Sequence, residues 1–475
     1  MSGKTKQSVF RSKLDQIISN IKDEIVSGRQ KNGEYLPSET ELAEKYNVSK
    51  YLIRKALDVL VAEGYVQKIP RIGNRAISPG SQRIVTIRFG YYPSMMKQTS
   101  LQVLIDRFHT LYPNIRTELI PVPFKFDDLN LMKHYLTSGL IDVAMFNHQS
   151  FSELRDEDGS LQMLEPLAAP DGIYPFLLPA FESRNRLRAV PYTFSPVILC
   201  YNKDHFHQYD LPEPDSSWKW TDLLDIAQKI TTRCPQVGFY YHPFSENRWP
   251  IFFLQNGFSS DREWKGDEYD ASKLKETIRT SRDLIFRQGI SSFVSQSDEE
   301  VEELFKQQKI SMIMTTYFAL NKFADVPFQF DIAPLPSFGE SRTLNIIIGL
   351  AVSRNTANKE AAKTLVHYML SYEAQSLIRQ NTCSIPALKK AAELTSGYPE
   401  SESRLVKEPE RFHLYREIIP SFRLHSHLNL TSGQLLQMRA ELKLYWWQIT
   451  DLETCVRHLM QILSNEKQLN YTSGG

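Results

Sequence analysis

The sequence predicts a multidomain protein: a small winged helix-turn-helix domain of the α+β class, followed by a large α/β domain. The first prediction rests on a helix-capping pattern within residues 36–64 and on a hairpin pattern within residues 65–77. The second rests on strand and helix patterns that alternate from residue 84 onward. With 475 residues, the chain is too long for one ordinary domain.

Residues 36–64 have the signature of two helices joined by a tight turn. Ser38 is followed three residues later by Glu41, the spacing of a capping box, which predicts the start of a first helix. A turn follows, and Ser49 caps a second helix. The buried stripe of the second helix consists of Ile53, Ala56, Leu57 and Leu60. The side chains that must then project outward near its N-terminal end are Lys50, Tyr51, Arg54 and Lys55.

An upstream helix and a downstream hairpin complete the predicted domain. The apolar positions of the upstream helix are Leu14, Ile17, Ile18, Ile21 and Ile25, with Gly28 as its stop signal. Two short strands at residues 65–69 and 75–77 flank a turn at residues 70–74. The expected organisation is a winged helix-turn-helix domain at residues 1–77, a linker at 78–83 and an α/β domain at 84–475.

Charge is distributed unevenly along the chain. Residues 1–80 carry 14 Lys and Arg against 9 Asp and Glu, a difference of +5, whereas the net charge of the whole chain is +1. The rest of the chain is therefore mildly acidic. A basic N-terminal domain on a mildly acidic chain is typical of a protein whose N-terminal domain binds phosphate groups.

Composition and cysteine usage narrow the class of protein. The apolar fraction of 41% and the charged fraction of 23% are those of a soluble globular protein. The N-terminus has no secretory signal pattern, and no apolar run approaches the length of a membrane span. The four cysteines are far apart, without a C-x-x-C pair, which predicts reduced thiols. We therefore expect a cytoplasmic protein that has no membrane partner and takes no metal or cofactor.

The α/β prediction follows from the order of elements after residue 84. Strand patterns at residues 84–92, 116–122 and 142–146 alternate with helix patterns at residues 101–111 and 128–138. Such alternation predicts a mostly parallel sheet covered by helices. Ligands in such sheets bind beyond the carboxyl ends of the strands, which here are the segments at residues 91–94 and 146–148.

The first 77 residues resemble the GntR family of bacterial transcription regulators. The matching segments are Leu36-Pro37-Ser38-Glu39, Glu41-Leu42-Ala43, Val48-Ser49, Arg54, Ala56-Leu57, Leu60 and Glu63-Gly64-Tyr65-Val66. The resemblance implies a domain that binds double-stranded operator DNA as a two-fold homodimer, with its second helix in the major groove. The chain departs from the family pattern at Thr40, Lys50, Tyr51 and Arg71, while keeping Gly73.

Residues 84–475 resemble extracellular solute-binding proteins of the sugar-transport type, here without an export signal. The matching segments include Asp142-Val143-Ala144, Tyr201-Asn202-Lys203-Asp204, Ala333-Pro334-Leu335-Pro336 and Ile348-Gly349-Leu350-Ala351. The resemblance implies a two-lobed, type II periplasmic-binding-protein-like fold with the ligand in the cleft between the lobes. It places the strands that cross between the lobes near residues 193–195 and 349–350. The implied lobes are lobe 1, at about residues 84–193 with 350–400, and lobe 2, at about residues 195–349 with 401–475.

The candidate DNA-binding residues lie on the second helix, at helix starts and on the hairpin. They are Ser38, Ser49, Lys50, Tyr51, Arg54, Lys55, Arg71, Gly73 and Arg75. Arg54 is the candidate for a bidentate contact with guanine, because its guanidinium offers two parallel donors. The lysines are expected to hold phosphates, which fixes the register on DNA without reading sequence.

The candidate ligand-binding residues are chosen for the chemistry of a sugar or oligosaccharide. Sugar rings have apolar C–H faces that stack on aromatic rings, and hydroxyl groups that need polar partners. The candidates are Tyr92, Phe146, Asn147, His148, Tyr192, Trp249 and Tyr317, with Trp249 and Tyr317 as the expected stacking residues. An ordinary role in the hydrophobic core is the competing interpretation for each of these residues.

These two resemblances together predict a ligand-responsive transcription regulator that is not an enzyme. Ligand closes the cleft, and in a dimer this closure changes the spacing of the two heads.

The competing interpretation is a GntR-type head on an aminotransferase-like domain that uses pyridoxal phosphate, but no lysine in a serine-rich context is found. A binding module that has lost DNA binding is a third interpretation. The pairs His205 and His207, and His425 and His427, are interpreted as surface or core residues, because two ligands do not make a zinc site.

Overall fold

The computed structural model of the chain divides into two compact units. It describes residues 2–27, 29–70, 72–77, 84–122, 129–157, 159–257, 268–286, 295–394 and 407–472. One unit comprises residues 1–86 and 109–116, and the other comprises residues 87–108 and 117–475. Gly28 and the linker expected at residues 78–83 lie outside the described residues.

The N-terminal head contains three helices and a two-stranded hairpin, as the sequence predicts. The helices are α1 (Ser2–Val26), α2 (Glu39–Lys45) and α3 (Lys50–Ala62), and the strands are β1 (Val66–Ile69) and β2 (Gly73–Ala76). The strands are antiparallel, with Val66 opposite Ala76 and Ile69 opposite Gly73. Helices α1 and α3 pack together over a core of branched aliphatic side chains. The fully buried members of this core include Ile21, Ile25, Ile53, Ala56, Leu57 and Leu60.

Side-chain caps fix where the two short helices of the head begin. Ser38 and Glu41 form the predicted capping box: the Glu41 amide donates to the Ser38 hydroxyl, and the Ser38 amide donates to the Glu41 carboxylate at 2.7 Å. The Ser49 hydroxyl accepts from the Leu52 amide at 3.4 Å. Each cap satisfies backbone donors that the first turn of a helix leaves without partners, and is worth about 1 kcal/mol.

The body contains twelve further strands and sixteen further helices among the described residues. The strands are β3 (Val85–Tyr91), β4 (Ile115–Pro121), β5 (Val143–Asn147), β6 (Glu182–Ser183), β7 (Arg186–Leu187), β8 (Val190–Asn202), β9 (Val237–Tyr240), β10 (Ile310–Thr316), β11 (Phe330–Ala333), β12 (Thr343–Val352), β13 (Ile385–Pro386) and β14 (Phe422–Arg423). The first nine of these helices are α4 (Met95–Gln98), α5 (Leu101–Leu111), α6 (Leu129–Thr137), α7 (His148–Asp156), α8 (Lys203–Gln208), α9 (Trp220–Arg233), α10 (Trp249–Gln255), α11 (Glu268–Phe286) and α12 (Asp298–Lys306). The others are α13 (Tyr317–Leu320), α14 (Lys359–Met369), α15 (Tyr372–Asn381), α16 (Lys389–Ala392), α17 (Leu414–Glu417), α18 (Ser432–Trp446) and α19 (Leu452–Thr472). No helix of the described chain is both long and apolar enough to cross a lipid bilayer.

The body is built on a mixed sheet, so the prediction of a mostly parallel sheet is wrong. The strand order is β4-β3-β5-β12-β8-β10-β9. Strand β3 runs parallel to β5, and β10 runs parallel to β9, as the alternating pattern predicts. The strands at the centre, however, pair antiparallel: β12 with both β5 and β8, and β10 with β8. The reason is that two long strands run in opposite directions through both lobes, which no local pattern of alternation reveals.

Strands β8 and β12 are the connection between the lobes. Both are buried along their whole length. Residues 193–196 of β8 pair with residues 345–348 of β12. Beyond this ladder, the C-terminal part of β8 pairs with β10 and β11 in lobe 2, and the C-terminal part of β12 pairs with β5 in lobe 1. Gly349, near the predicted crossing, lies opposite Phe146 of β5 and Pro191 of β8.

Helix α9 packs closely against strand β9. An added Cβ at Gly238, in β9, would lie 2.1 Å from the backbone oxygen of Ala227 in α9. Only glycine therefore permits this approach of α9 to the sheet. Strand β9 ends at Tyr240, and the segment at residues 242–248 continues from it into the cleft between the lobes.

Candidate functional site

The exposed face of α3 carries the polar side chains that the sequence places there. Lys50, Tyr51, Arg54 and Lys55 are exposed, while the opposite face of α3 is buried in the core. The Lys55 amine lies 5.6 Å from the centre of the Tyr51 ring, so this aromatic side chain supports the lysine at the surface. Ser38 and Ser49 lie exposed at the starts of α2 and α3. The structure therefore brings the predicted helix residues onto one basic surface.

Arg54 is held by a carboxylate on the neighbouring helix, a contact that sequence reasoning missed. Its guanidinium donates to the Glu39 carboxylate through Nη2 at 2.8 Å and Nε at 3.2 Å. This hydrogen bond lowers the pKa of Glu39 and raises that of Arg54. The pair fixes the guanidinium at the surface before any ligand arrives. A base or phosphate that binds Arg54 must replace Glu39 or share the guanidinium with it.

The hairpin presents a second set of candidate residues. Gly73 has a φ of +146°, a backbone conformation that favours glycine, and it begins β2 directly after the hairpin turn. The Arg75 guanidinium donates to the Gln67 side-chain oxygen at 2.7 Å, across the two strands. Arg71, the remaining hairpin candidate, lies outside the described residues.

A cleft of about 660 Å³ lies between the lobes of the body. Lobe 1 contributes Tyr92 and helix α4, and the crossing strand β12 contributes Ile346. Lobe 2 contributes the segment at residues 242–248, the start of α12 and helix α13, and helix α18 adds Leu436 and Arg439. A cleft of this size accommodates a small molecule of a few rings.

Three aromatic residues, Tyr92, Phe244 and Phe318, are part of the cleft lining. Phe244 is half-buried, with its ring 5.6 Å from that of Trp446 behind it. Phe318 is buried, and its amide donates to the Ser195 hydroxyl of the crossing strand at 2.9 Å. On the lobe 1 side, the Tyr92 hydroxyl accepts from the Asn147 amide at 3.0 Å, and burial raises the pKa of Tyr92. Phe244 is the least buried of the three, and its ring offers an apolar face of the kind on which sugar rings stack.

Three cations in the cleft lining are each paired with a carboxylate. Arg248 lies 3.5 Å from Asp298, Lys322 lies 2.5 Å from Glu302, and Arg439 lies 2.7 Å from Glu246. The Arg248 Nε also donates to a backbone oxygen, that of Met314, at 3.1 Å. The pairing holds the donors and acceptors of these side chains in fixed positions at the cleft. It also limits the free-energy cost of desolvating the charged groups.

Glu302 is a nearly buried carboxylate in this lining. Its side chain is nearly buried, and burial raises its pKa, whereas Lys322 acts in the opposite direction. The other oxygen of the Glu302 carboxylate accepts from the Thr315 hydroxyl at 3.2 Å. The Lys322 pair and this hydrogen bond together keep the side chain in one position at the cleft wall.

Of the predicted ligand residues, the structure places Tyr92 in the cleft lining. Trp249 starts α10 and lines a smaller cavity beside Glu246 and Arg439, with its ring packed edge-on against Phe253. The remaining five are buried and do not line the cleft among the described residues: Phe146, Asn147, His148, Tyr192 and Tyr317.

The buried candidates have identifiable structural partners. Asn147 caps α7 by accepting from the Ser150 amide at 2.7 Å, and Phe146 packs edge-on against Phe151. The Tyr317 hydroxyl donates to the backbone oxygen of Phe412 at 2.9 Å. These contacts do not test whether the five residues bind a ligand, so their role in ligand binding stays a prediction.

Sequence reasoning missed most of the residues that line the cleft. The missed residues include Phe244, Arg248, Asp298, Glu302, Phe318 and Lys322. A signal for the first two was present, because the segment at residues 242–248 follows a strand end, and strand ends were the criterion that selected Tyr92. The others lie in α12, in α13 and in the turn after α13, and these segments become neighbours only when β9, β10 and the crossing strands assemble.

Two buried histidines contact each other next to the crossing strand β12. His148 Nε2 lies 3.1 Å from His425 Nδ1, the Ile347 amide donates to His148 Nδ1 at 3.3 Å, and His425 Nε2 lies 2.9 Å from the backbone oxygen of Glu246. Burial lowers the pKa of both rings, that of His425 to about 4. His427, by contrast, interacts with its own turn at Leu424. Among the described residues, no three potential metal ligands cluster.

Two α/β lobes joined by crossing strands around a polar cleft define the class of two-lobed binding proteins. The model of the bacterial extracellular solute-binding protein family matches residues 92–376, more than half of the chain, and the model of the gntR family of bacterial regulatory proteins matches residues 13–75. The chain belongs to the bacterial extracellular solute-binding protein family and carries a GntR-type helix-turn-helix domain at its N-terminus. Both are families of non-enzymatic domains, and the region that an aminotransferase would occupy matches the solute-binding model.

Individual relatives match one part of the chain each. A binding protein of Brucella abortus (strain 2308) is 23% identical over 223 residues, which are 43% of this chain and 52% of that protein. The HTH-type transcriptional regulator TreR of Bacillus subtilis (strain 168) is 45% identical over 58 residues, 12% of this chain and 24% of that regulator. The chain thus spans about half the length, or less, of these curated relatives. Among solved structures, maltose-bound T. maritima MalE3 superposes with a TM-score of 0.67 at 19% identity, covering 80% of this chain and 99% of that one.

We predict that acidification below about pH 6.5 destabilises the body through His148 and His425. Both histidines are neutral in the folded protein and have depressed pKa values, whereas an unfolded histidine titrates near 6.5, so the unfolded state takes up protons first as the pH falls. The free energy of unfolding should be unaffected above pH 6.5. It should fall by roughly 2 kcal/mol for His425 by pH 5. Urea unfolding at pH 7.5, 6 and 5, followed by near-UV circular dichroism, measures this dependence.

The control for this experiment is the double variant His148→Gln/His425→Gln. Glutamine does not titrate, so the loss of stability between pH 7.5 and pH 5 should be smaller than in the wild type. Equal losses in the two proteins would assign the pH dependence to other groups.

Proposed function

We propose that this protein is a cytoplasmic transcription regulator that binds operator DNA as a homodimer and responds to a carbohydrate. The observation that carries the proposal is the presence, in one chain, of a winged helix-turn-helix head and a two-lobed domain with an aromatic and polar cleft. The head supplies a DNA-binding function and the cleft supplies a ligand-binding one. In this proposal, ligand closes the cleft, and closure changes the spacing of the two heads in the dimer and hence the DNA affinity.

The DNA-binding part of the proposal is supported by the surface of α3. Its exposed N-terminal half bears Lys50, Arg54 and Lys55, and two serine-capped helix starts lie beside it. Helix starts and basic side chains hold phosphates, while an arginine that lies along the major groove recognises guanine. Glu39 keeps Arg54 extended at the surface, which reduces the entropy lost when the guanidinium binds.

The ligand part is supported by the chemistry of the cleft. Phe244 offers a ring face, Tyr92 lines the cleft from the other lobe, and the three ion pairs offer charged donors and acceptors to hydroxyl groups. Because every cation of the described lining already has a carboxylate partner, the cleft favours a neutral sugar over a sugar phosphate. The maltose-bound structural neighbour supports a neutral oligosaccharide as the class of ligand.

We predict that Arg54→Ala weakens binding to the DNA upstream of the protein's own gene by tenfold or more. The loss of a bidentate guanine contact costs about 1–3 kcal/mol. Gel-shift titrations at two salt concentrations measure the affinity, and a thermal-shift assay confirms that the variant folds. The matched control is Arg29→Ala, which removes an exposed arginine from the loop after α1. An Arg54→Ala protein that binds this DNA as tightly as the wild type would refute the assignment of the recognition surface.

We predict that Phe244→Ala reduces affinity for the carbohydrate by roughly tenfold, because it removes a stacking face worth about 1 kcal/mol or more. Thermal shifts with maltose, maltotriose and their phosphorylated forms identify the ligand, and calorimetry measures its affinity. The matched control is Trp447→Ala, an exposed aromatic residue outside the cleft lining. No thermal shift with any neutral sugar, or an equal loss of affinity in the control, would contradict a carbohydrate site in this cleft.

Regulation is tested by repeating the DNA titration with the carbohydrate that binds. Coupling between two sites is reciprocal: if the ligand changes the affinity for DNA by some factor, DNA changes the affinity for the ligand by the same factor. We expect a change of about 5- to 150-fold, the usual range for allosteric coupling. Identical DNA affinities with and without ligand would leave two independent binding functions in one chain.

A further inference from the structure

The two buried histidines join parts of the body that are distant in sequence. His148 starts α7 in lobe 1, directly after β5, whereas His425 belongs to the segment before α18. Glu246, whose backbone oxygen receives the last contact, lies in the lobe 2 segment at residues 242–248 that lines the cleft. Both histidine side chains are nearly buried, and their ring centres lie 5.3 Å apart.

The partners of this chain of hydrogen bonds determine the tautomer of each ring. Ile347 contributes a backbone N–H, so His148 Nδ1 must be the acceptor and His148 Nε2 carries the proton. His148 Nε2 therefore donates to His425 Nδ1, which leaves the proton of His425 on Nε2. His425 Nε2 then donates to the Glu246 backbone oxygen, which can only accept. Every donor meets an acceptor, and both rings are neutral.

The hydrogen bond to Glu246 acts on the wall of the cleft. Phe244, which offers a ring face, and Arg248, which offers a guanidinium, are each two residues from Glu246. The Glu246 carboxylate is also fixed, by Arg439 at 2.7 Å. The segment that carries these groups has no helix or strand of its own between β9 and α10, so its position depends on such contacts.

We propose that His425 is a positioning residue for the ligand cleft, which holds the segment at residues 242–248 through the Glu246 backbone oxygen. His148 fixes His425 in the tautomer that this contact requires. The inference rests on the proposed function for its role in ligand binding, but the positioning itself is a property of the ligand-free chain. It is therefore tested without any carbohydrate.

The experiment compares two variants of His425, each of which keeps the hydrogen bond of one ring nitrogen and loses that of the other. In His425→Gln, the amide reaches the position of Nε2 and retains a donor for Glu246. In His425→Asn, the shorter amide offers an acceptor near the position of Nδ1 for His148, and loses the donor to Glu246. Hydrogen exchange measured by mass spectrometry on the full chain reports the protection of peptides that contain residues 242–248. His207→Gln, which alters an exposed histidine beside Glu213, is the matched control.

We expect His425→Asn to increase amide exchange at residues 242–248 roughly fivefold, the effect of losing one ordinary hydrogen bond. The exchange in His425→Gln and His207→Gln should stay within twofold of the wild type. Equal exchange in His425→Asn and His425→Gln, whether raised or unchanged, would overturn the proposal, because packing rather than the donated hydrogen bond would then set the position. With a carbohydrate in hand, the same order of variants should appear in its affinity.

A spectroscopic measurement on the wild-type chain decides the matter if His425→Asn does not fold. Histidine labelled with ¹⁵N gives distinct signals for the two neutral tautomers, and the signal of His425 is identified by its disappearance in His425→Gln. We expect a neutral ring protonated on Nε2 at pH 7. A ring protonated on Nδ1 would overturn the proposal, since it has no donor for Glu246. If neutral sugars fail to bind while these results hold, the proposed function fails and the positioning role stands.

Discussion

The paired strands β8 and β12 are the constraint on which the rest of the body depends. Both strands are buried along their whole length, so each backbone donor and acceptor must find its partner within the sheet. Their mutual ladder at residues 193–196 and 345–348 satisfies this requirement where the chain passes from one lobe to the other. On either side, β5 and β10 continue the sheet into lobe 1 and lobe 2. The cleft lies beside this crossing, since Ile346 of β12 is part of its lining.

Charge pairing is the second device that recurs in both parts of the protein. In the head, Glu39 holds Arg54 at an exposed surface, where such a pair contributes little stability but limits the conformations of a long side chain. In the cleft, Glu302 is nearly buried, and its pairing with Lys322 offsets a desolvation cost that would otherwise be several kcal/mol. In both places the paired groups are also the ones that would contact a ligand. In each place the carboxylate limits the conformations of the long cationic side chain, Arg54 in the head and Lys322 in the cleft.

The local signals in the sequence were sufficient for the head. The capping box at Ser38, the cap at Ser49 and the stripe beginning at Ile53 involve residues three or four positions apart, and a helix brings such residues together whatever surrounds it. The five early elements of the body were also predicted at nearly the right positions. The cleft was not, because Phe244, Asp298 and Lys322 are separated by dozens of residues and meet only in the assembled sheet.

The sequence by itself determined the class of each domain, the exposed basic face of α3 and a body of strands and helices typical of solute-binding proteins. Only the tertiary structure decided that the central sheet is mixed, that Tyr317 lies in the core while Phe244 lines the cleft, and that His148 meets His425. The physical reason is the range of the interactions. Helix caps and apolar periodicity act between neighbours in sequence, whereas strand direction, side-chain burial and a chain of hydrogen bonds across lobes depend on which distant segments pack together.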